Sequence, residues 1–339
     1  MSVSISIAKL SCVVALATAL ATCWTSLAGA AENIPRIGVL WPGDVDLWTK
    51  AFLDGLRQNG YANGTTATVD IRNTGSDFSS GSKLAEQLIA QRPDVIYASP
   101  GILAKYVVER LSHSGQQIPL VVFTWDPVGE GLVESASHPG KNVTAIGTAH
   151  DPEFMSKQLE LLKEIVPRLV KVVYLFETNW DLGKFFGPKA NAALDSAGRQ
   201  LGIAVSTVEV PSADRIDSAF AEAARRHANA IIIPVSPLFA SNQNRGRIIR
   251  LAARYHLPAV YGDELFTYEG GLISYWTSVS DGERRAGELV ARILRGAKAG
   301  DIPVDYPTRF RLVINKRTAK ALGLSVPESV LMRADEVIK

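Results

Sequence analysis

Tryptophans and acidic residues follow several short, β-branched segments of this sequence. Four of the five tryptophans beyond residue 30 end or closely follow such a segment, namely Trp41, Trp125, Trp180 and Trp276. Only Trp48 is placed as an ordinary helix residue. An indole face stacks on aromatic rings and attracts cations, and a neighbouring carboxylate pairs with a positive nitrogen. The combination predicts a site for a small molecule that carries an aromatic ring or a positively charged nitrogen.

Small polar groups beside these positions complete the candidate site. Ser99-Pro100-Gly101 opens a predicted helix, whose free backbone N–H groups could hold a ligand carboxylate. The full set of predicted binding residues is Trp41, Ser99, Pro100, Gly101, Trp125, Asp126, Asn179, Trp180, Ser236, Asp263 and Trp276. Simpler interpretations stay open, because the indoles can merely close off the core and the segment at Ser99 can be a plain helix cap.

Other chemistries find little support in the sequence. It has no G-x-S-x-G segment, no P-loop, no G-x-G-x-x-G turn and no H-E-x-x-H helix, which argues against the corresponding enzymes. Its five histidines are far apart, so neither a metal site nor a cofactor is expected. The carboxylate pairs Asp44/Asp46 and Asp263/Glu264 leave one enzymatic alternative, an exported hydrolase that uses two acids.

From Ile34 onward, short apolar segments alternate with longer segments of helical period, and this alternation predicts βαβ units around parallel sheets. Strands are predicted at Arg36–Trp41, Thr68–Arg72, Asp94–Ala98, Pro119–Phe123 and Asn142–Ile146, and then at Val170–Phe176, Ile203–Glu209, Ala230–Val235, Pro258–Tyr261 and Leu272–Tyr275. Two successive arrays of similar size predict an α/β fold with two doubly wound lobes. Ligands bind such sheets beyond the carboxyl ends of the strands, so the cleft between the lobes is the expected site.

Helices are expected between these strands and in the last part of the chain. They are predicted at Leu47–Gln58, Lys83–Gln91, Ile102–Leu111, Asp151–Pro167, Lys184–Gln200, Arg215–His227, Asn244–Tyr255, Asp281–Gly296 and Lys316–Leu322. One further strand is predicted at Phe310–Ile314. Because Gly323 and Pro327 break the last helix, the tail from Glu328 is expected to pack as a separate short segment.

The first thirty residues have the pattern of a secretory leader. Lys9 precedes an apolar run from Leu10 to Leu20, and the small residues from Ser26 to Ala30 predict cleavage after Ala30. Residues 1–30 are therefore expected to be a signal peptide that directs the protein to the periplasm. The segment ending at Cys23 resembles a lipoprotein cleavage box, so a lipid anchor on this cysteine is an alternative.

The charge of the chain beyond the leader gives no sign of a polyanionic partner. Lys9 is the only charged residue of the leader, and its removal leaves 35 basic and 34 acidic residues. Neither nucleic acid nor an anionic membrane is therefore expected to bind. No later segment approaches the roughly 20 apolar residues that a membrane span needs.

Several segments resemble one known family in order and spacing. They are Asp126-Pro-Val-Gly-Glu-Gly-Leu-Val133, His138-Pro-Gly-Lys-Asn-Val-Thr144, Leu159–Pro167, Phe310–Asn315, Thr318–Leu324 and Arg333–Ile338. The resemblance is to the substrate-binding proteins of ABC transporters, in the group that includes tryptophan- and tyrosine-binding members. It covers essentially the whole chain after the leader. It implies a type I periplasmic-binding-protein fold with three crossovers, no catalytic activity, and a transporter permease as partner.

The resemblance also implies how the chain divides into lobes. The N-terminal lobe would comprise residues 31–147 and 276–307, and the C-terminal lobe residues 148–275 and 308–339. Asp126 matches the family's Asp-Pro-Val element, which implies contact with a ligand amino group. One position departs from the family, since relatives commonly have glycine where this chain has Trp276.

The ligand and its use stay open at this point. An aromatic amino acid is the first expectation, from the tryptophans and the family, and a quaternary amine or an aromatic acid follows. A binding protein that delivers its ligand to an ABC importer is the leading hypothesis. A ligand sensor that docks on a membrane receptor kinase or chemoreceptor would use the same fold.

Overall fold

A computed structural model describes residues 34–42, 46–75, 78–148, 153–178, 181–307 and 310–339. The expected leader at 1–30 and the possible lipid anchor at Cys23 lie outside these residues. Two sheets dominate the described part of the chain.

The first sheet has five parallel strands in the order β2-β1-β3-β4-β5. They are β1 (Arg36–Trp41), β2 (Thr68–Asn73), β3 (Val95–Ala98), β4 (Leu120–Thr124) and β5 (Val143–Gly147). The helices that connect them are α1 (Asp46–Gln58), α2 (Gly81–Ala90) and α3 (Gly101–Ser114). Every residue of β3, β4 and β5 is buried, as expected for parallel strands covered by helices on both faces.

The second sheet has seven strands in the order β12-β11-β10-β9-β8-β6-β7. They are β6 (Lys171–Glu177), β7 (Ala204–Val210), β8 (Ala230–Ile233), β9 (Ala259–Tyr261), β10 (Ile273–Thr277), β11 (Phe310–Asn315) and β12 (Glu336–Ile338). Only the β10–β11 pair of these neighbours is antiparallel. The chain therefore builds two doubly wound sheets in succession, each from its own βα array.

Helices accompany the second sheet along its whole length. They are α4 (Glu153–Ile165), α5 (Asp181–Leu201), α6 (Ile216–Arg225), α7 (Pro237–Ala240), α8 (Asn242–Arg254), α9 (Glu264–Tyr268), α10 (Val279–Leu294), α11 (Lys316–Ala321) and α12 (Glu328–Leu331). No described helix has both the length and the apolar character that a membrane crossing requires.

The strands and longer helices match the sequence-based predictions to within a few residues, whereas the shortest elements were not predicted. The unpredicted helices α7, α9 and α12 have four or five residues, too few for a helical period to be read. The tail also forms β12, which pairs in parallel with β11. Its start is fixed by Asp335, whose backbone N–H donates to the Leu312 carbonyl oxygen at 2.9 Å.

Helix α10 connects the two sheets. It follows β10 of the second sheet but packs on α1 and on the central strands of the first. Two glycines permit this approach, since an added Cβ on Gly55 would overlap with the carbonyl oxygen of Arg284, and one on Gly287 with that of Phe52. The division into a lobe of residues 31–147 and 276–307 and a lobe of residues 148–275 and 308–339 stays a prediction.

The close contact between α1 and α10 predicts a sharp cost for any side chain at Gly287. Gly287→Ala places a methyl group against the rigid backbone of α1, so we expect the free energy of unfolding to fall by about 1–3 kcal/mol in urea titrations. Gly246→Ala on α8 is the matched control, because its nearest neighbour is the flexible Arg250 side chain. There, the better helix propensity of alanine should raise stability by up to about 1 kcal/mol. Equal effects at both glycines would contradict this account.

Candidate functional site

A small cavity lies where the carboxyl ends of strands from both sheets meet. It measures about 80 Å³ and is mostly apolar. Among the described residues it is lined by Pro42, Trp48, Ser99, Pro100, Phe123, Thr124, Trp125, Thr148, Val235, Pro237, Trp276, Val279 and Glu283. Strand ends are where open α/β sheets bind ligands, so the cavity is the candidate site.

An aromatic cluster forms one side of the cavity. The ring centroids of Trp125 and Trp276 lie 5.1 Å apart, and the Phe154 ring meets Trp276 edge-on at 4.2 Å. Phe154 also contacts Trp125 at 5.5 Å and stacks on Phe310 at 6.2 Å. Trp125 follows β4 of the first sheet, whereas Trp276 belongs to β10 of the second. The cluster therefore joins the two sheets through ring contacts, each worth about 0.5–1.5 kcal/mol beyond the area it buries.

The first-sheet wall contains Ser99 and Pro100, which both line the cavity. Gly101 has different neighbours. Its backbone N–H donates to Thr124 Oγ1 at 3.1 Å, and that hydroxyl donates to Glu130 Oε1 at 2.7 Å. An added Cβ on Gly101 would overlap with the Glu130 carboxylate. The Glu130 carboxyl group thus lies at the amino end of α3, which is the position where a ligand carboxylate was expected.

Burial raises the pKa of Glu130 to about 7, against the lowering effect of its hydrogen bond from Thr124. Asp126 lies nearby and forms hydrogen bonds within the same loop after β4. Its Oδ1 accepts a hydrogen bond from the Gly129 N–H at 2.8 Å, and its own N–H donates to Glu130. Asp126 is half-buried and is not among the residues that line the cavity. The Asp-Pro-Val element therefore shapes the loop after β4.

Trp41 is placed in the hydrophobic core. Only 2% of its surface is exposed, and its ring lies 5.7 Å from that of Tyr97 on β3. It does not line the cavity. The surroundings of Trp41 fit the simpler interpretation, in which an indole at a strand end closes off the core. The reason is that β1 is a central strand with helices on both faces.

The second-sheet wall places a buried acid behind the cavity surface. Glu177, at the end of β6, accepts hydrogen bonds from the Ser236 hydroxyl and, at 3.3 Å, from the Leu238 N–H. Burial raises the pKa of Glu177 to about 7. Ser236 also caps α7, since its Oγ accepts a hydrogen bond from the Phe239 N–H at 3.1 Å. Ser236 itself does not line the cavity, whereas the residues on either side of it, Val235 and Pro237, do.

Asp263 and Glu264, the acidic pair considered for a hydrolase, have separate structural partners. Asp263 caps α9 through a 2.9 Å hydrogen bond from the Leu265 N–H, and burial raises its pKa to about 7. Glu264 accepts hydrogen bonds from Ser278 at 2.9 Å and from Arg311 at 2.7 Å. Neither acid lines the cavity. Of the other predicted positions, Asn179, Trp180 and Asp44 lie outside the described residues.

Nine of the thirteen described residues that line the cavity were not predicted, among them Trp48, Phe123 and Glu283. Trp48 was taken as an ordinary helix residue, yet it stands in the first turn of α1, directly beyond the carboxyl end of β1. The sequence does contain a signal for Glu283, because this glutamate lies on the buried face of α10, four residues after Val279, where an apolar residue is expected. The Tyr97 hydroxyl donates a hydrogen bond to Glu283. Burial raises the pKa of this carboxyl well above its usual value.

Solved structures with the same architecture cover nearly the whole chain. A crystal structure of an ABC domain in complex with L-Trp from Streptococcus pneumoniae has a TM-score of 0.77 at 28% identity, over 90% of this chain and 99% of that one. A conserved domain protein from Vibrio cholerae O1 biovar El Tor has a TM-score of 0.78 at 23% identity, over 90% and 100%. These similarities confirm the α/β fold with two doubly wound lobes.

Sequence comparison agrees with the structural similarity. A tyrosine-binding protein of Clostridioides difficile (strain R20291) is 26% identical over 301 residues, which cover 87% of this chain and 83% of that protein. The resemblance noted in the segments around Asp126, Leu159 and Phe310 is confirmed at the level of the family. A family model described as ABC transporter substrate binding protein matches residues 42–338, and the chain accordingly belongs to that family.

Proposed function

We propose that this protein binds an aromatic amino acid in the cavity between its two sheets and delivers it to the permease of an ABC importer. It acts in the periplasm and does not transform its ligand. Family membership supports the transport role, since the matched family consists of substrate-binding proteins. The named relatives support the ligand class, because one is called tyrosine-binding and the other was solved with L-Trp.

The observation that carries the ligand class is the aromatic cluster at the cavity. Trp125 and Trp276 both line it, and Phe154 holds the Trp276 ring edge-on. A planar ring entering this space meets indole faces from both sheets and gains stacking from each. An aliphatic ligand of the same charge gains less, because it offers no ring to stack. We therefore assign Trp125 and Trp276 to the side chain of the ligand, with Ser99 and Pro100 beside them.

The size of the cavity implies that binding and lobe movement are linked. Its volume of about 80 Å³ is well below the roughly 300–1,000 Å³ of typical small-molecule sites. An aromatic amino acid needs more room than this, and in our proposal it enters when the two walls separate. The ligand favours closure to the extent that it contacts both walls at once.

Ligand-induced stabilisation tests the proposed class directly. L-Tryptophan or L-tyrosine at 100 times its dissociation constant should add about 2.7 kcal/mol to the free energy of unfolding, seen as a rise in Tm. L-Alanine shares the amino and carboxylate groups but lacks the ring, so it should leave the Tm almost unchanged. The proposal would be rejected if both aromatic amino acids were inactive while a ligand of another class stabilised the protein.

Substitution of Trp276 tests the position of the ligand. Trp276→Leu removes one stacking face, and we expect L-tryptophan to bind about 10- to 100-fold more weakly by calorimetry. Phe266→Leu is the matched control, because Phe266 is a fully buried ring stacked on Tyr261 at 4.6 Å, away from the cavity. It should lower stability but keep the affinity. Similar losses of affinity in both variants would place the effect in folding instead of in ligand contact.

A further inference from the structure

Glu283 is an unusual residue for the wall of an apolar cavity. It is 1% exposed and lines the cavity beside Phe123 and Val279. A carboxyl taken out of water is costly to ionise unless it has compensating partners. The partner that the structure provides is one hydroxyl, that of Tyr97, which in turn is hydrogen-bonded to Ser99. Among the described residues, the carboxyl therefore has no cation beside it, whereas a buried acid normally has one.

The opposite helix carries an unused donor on a residue that lines the same cavity. Trp48 lines it, and the indole N–H of Trp48 is shielded from solvent without a hydrogen-bond partner among the described residues. A buried donor without an acceptor costs free energy, which a ligand acceptor recovers. The packing of α10 on α1 brings the two helices together at this wall. Among the described residues, one wall of the cavity thus combines an acid that has no cation beside it and a donor that has no acceptor.

We infer that Glu283 binds the ammonium group of the ligand and that the Trp48 indole N–H binds its carboxylate. The inference rests on the proposed function and deepens it, because it assigns the head group to the wall of α1 and α10 and the ring to Trp125 and Trp276. The ligand ammonium then pairs with the Glu283 carboxyl group, and the ligand carboxylate accepts a hydrogen bond from the Trp48 indole N–H. The selected class is an aromatic compound that carries both a cationic amine and a carboxylate.

The assignment makes binding proton-linked. In the empty cleft, burial raises the pKa of Glu283, so the carboxyl holds a proton at pH values where an exposed glutamate is ionised. The arriving ammonium lowers that pKa, and the proton passes to solvent. Affinity therefore rises with pH up to the pKa of the empty site and is level above it. Of the groups on α1, β3 and β4, which pack against α10, Tyr97 is the described titratable group that shifts this pKa.

Calorimetry in phosphate and in Tris, buffers with different ionisation enthalpies, measures the released proton. On the rising part of this profile, at a pH between the pKa of Glu283 in the complex and its pKa without ligand, the wild-type protein should release about one proton on binding L-tryptophan. Glu283→Gln keeps an acceptor for Tyr97 but cannot ionise, so it should release none and bind about 10- to 100-fold more weakly. Asp263→Asn is the matched control, because Asp263 is another buried acid with a raised pKa but does not line the cavity. It should bind as the wild type does.

Ligand fragments separate the two head-group contacts. Tryptamine lacks the carboxylate and should still release the proton, whereas indole-3-propionate lacks the amine and should not. Trp48→Phe should weaken L-tryptophan about tenfold and leave tryptamine unchanged. Tyr97→Phe keeps the carboxyl and should retain proton release, which provides a second test if Glu283→Gln folds poorly.

The outcomes distinguish this inference from the proposed function. If the wild type binds L-tryptophan and folded Glu283→Gln binds it equally well with the same proton release, the head-group assignment is overturned and the ligand class stands. Loss of proton release in Tyr97→Phe would also overturn it. If the wild type binds neither L-tryptophan nor L-tyrosine, the proposed ligand class fails, and the assignment fails with it.

Discussion

The contact between α1 and α10 is the constraint on which the candidate site depends. The chain leaves β10 of the second sheet and must return to the first sheet within a few residues, and glycines at 55 and 287 let the two helix backbones touch. That approach fixes the amino-terminal parts of both helices at the cavity, with Trp48 on one and Glu283 on the other. Because Trp276 precedes α10 by three residues, the same contact also determines where its indole meets Trp125.

Buried acids recur around this site, but they differ in what they do. Glu130 occupies the amino end of α3, Glu177 supports the turn at Ser236, and Asp263 caps α9. Each has at least one backbone N–H nearby as a donor. Glu283 is the exception among these four, because its described partner is a side-chain hydroxyl and it faces the cavity itself. Local hydrogen bonding therefore separates acids that hold loops in shape from one that can meet a ligand.

Much of the fold could be predicted from the sequence, because β-branched segments and helical periods are local signals. The same signals located the edge of the sheet where Ser99, Pro100, Trp125 and Trp276 meet. These local signals could not distinguish the cavity residues from Trp41, because an indole at a strand end can point to either side of the sheet. Gly101 could not be judged either, because the acid that covers it, Glu130, lies 29 residues further along the chain. The path of α10 between the sheets came only from the family resemblance, as it depends on long-range packing.

The small volume of the cavity also has a kinetic consequence. In the proposed function, a ligand held between both walls leaves only when they separate, so the rate of that separation sets an upper limit on its dissociation rate. Ligands with different affinities for the same closed form can then have similar dissociation rates and differ mainly in their association rates. A transporter that pulls the lobes apart would remove this limit, and the moment of unloading would be decided by the docking partner instead of by the strength of the ring contacts at Trp276.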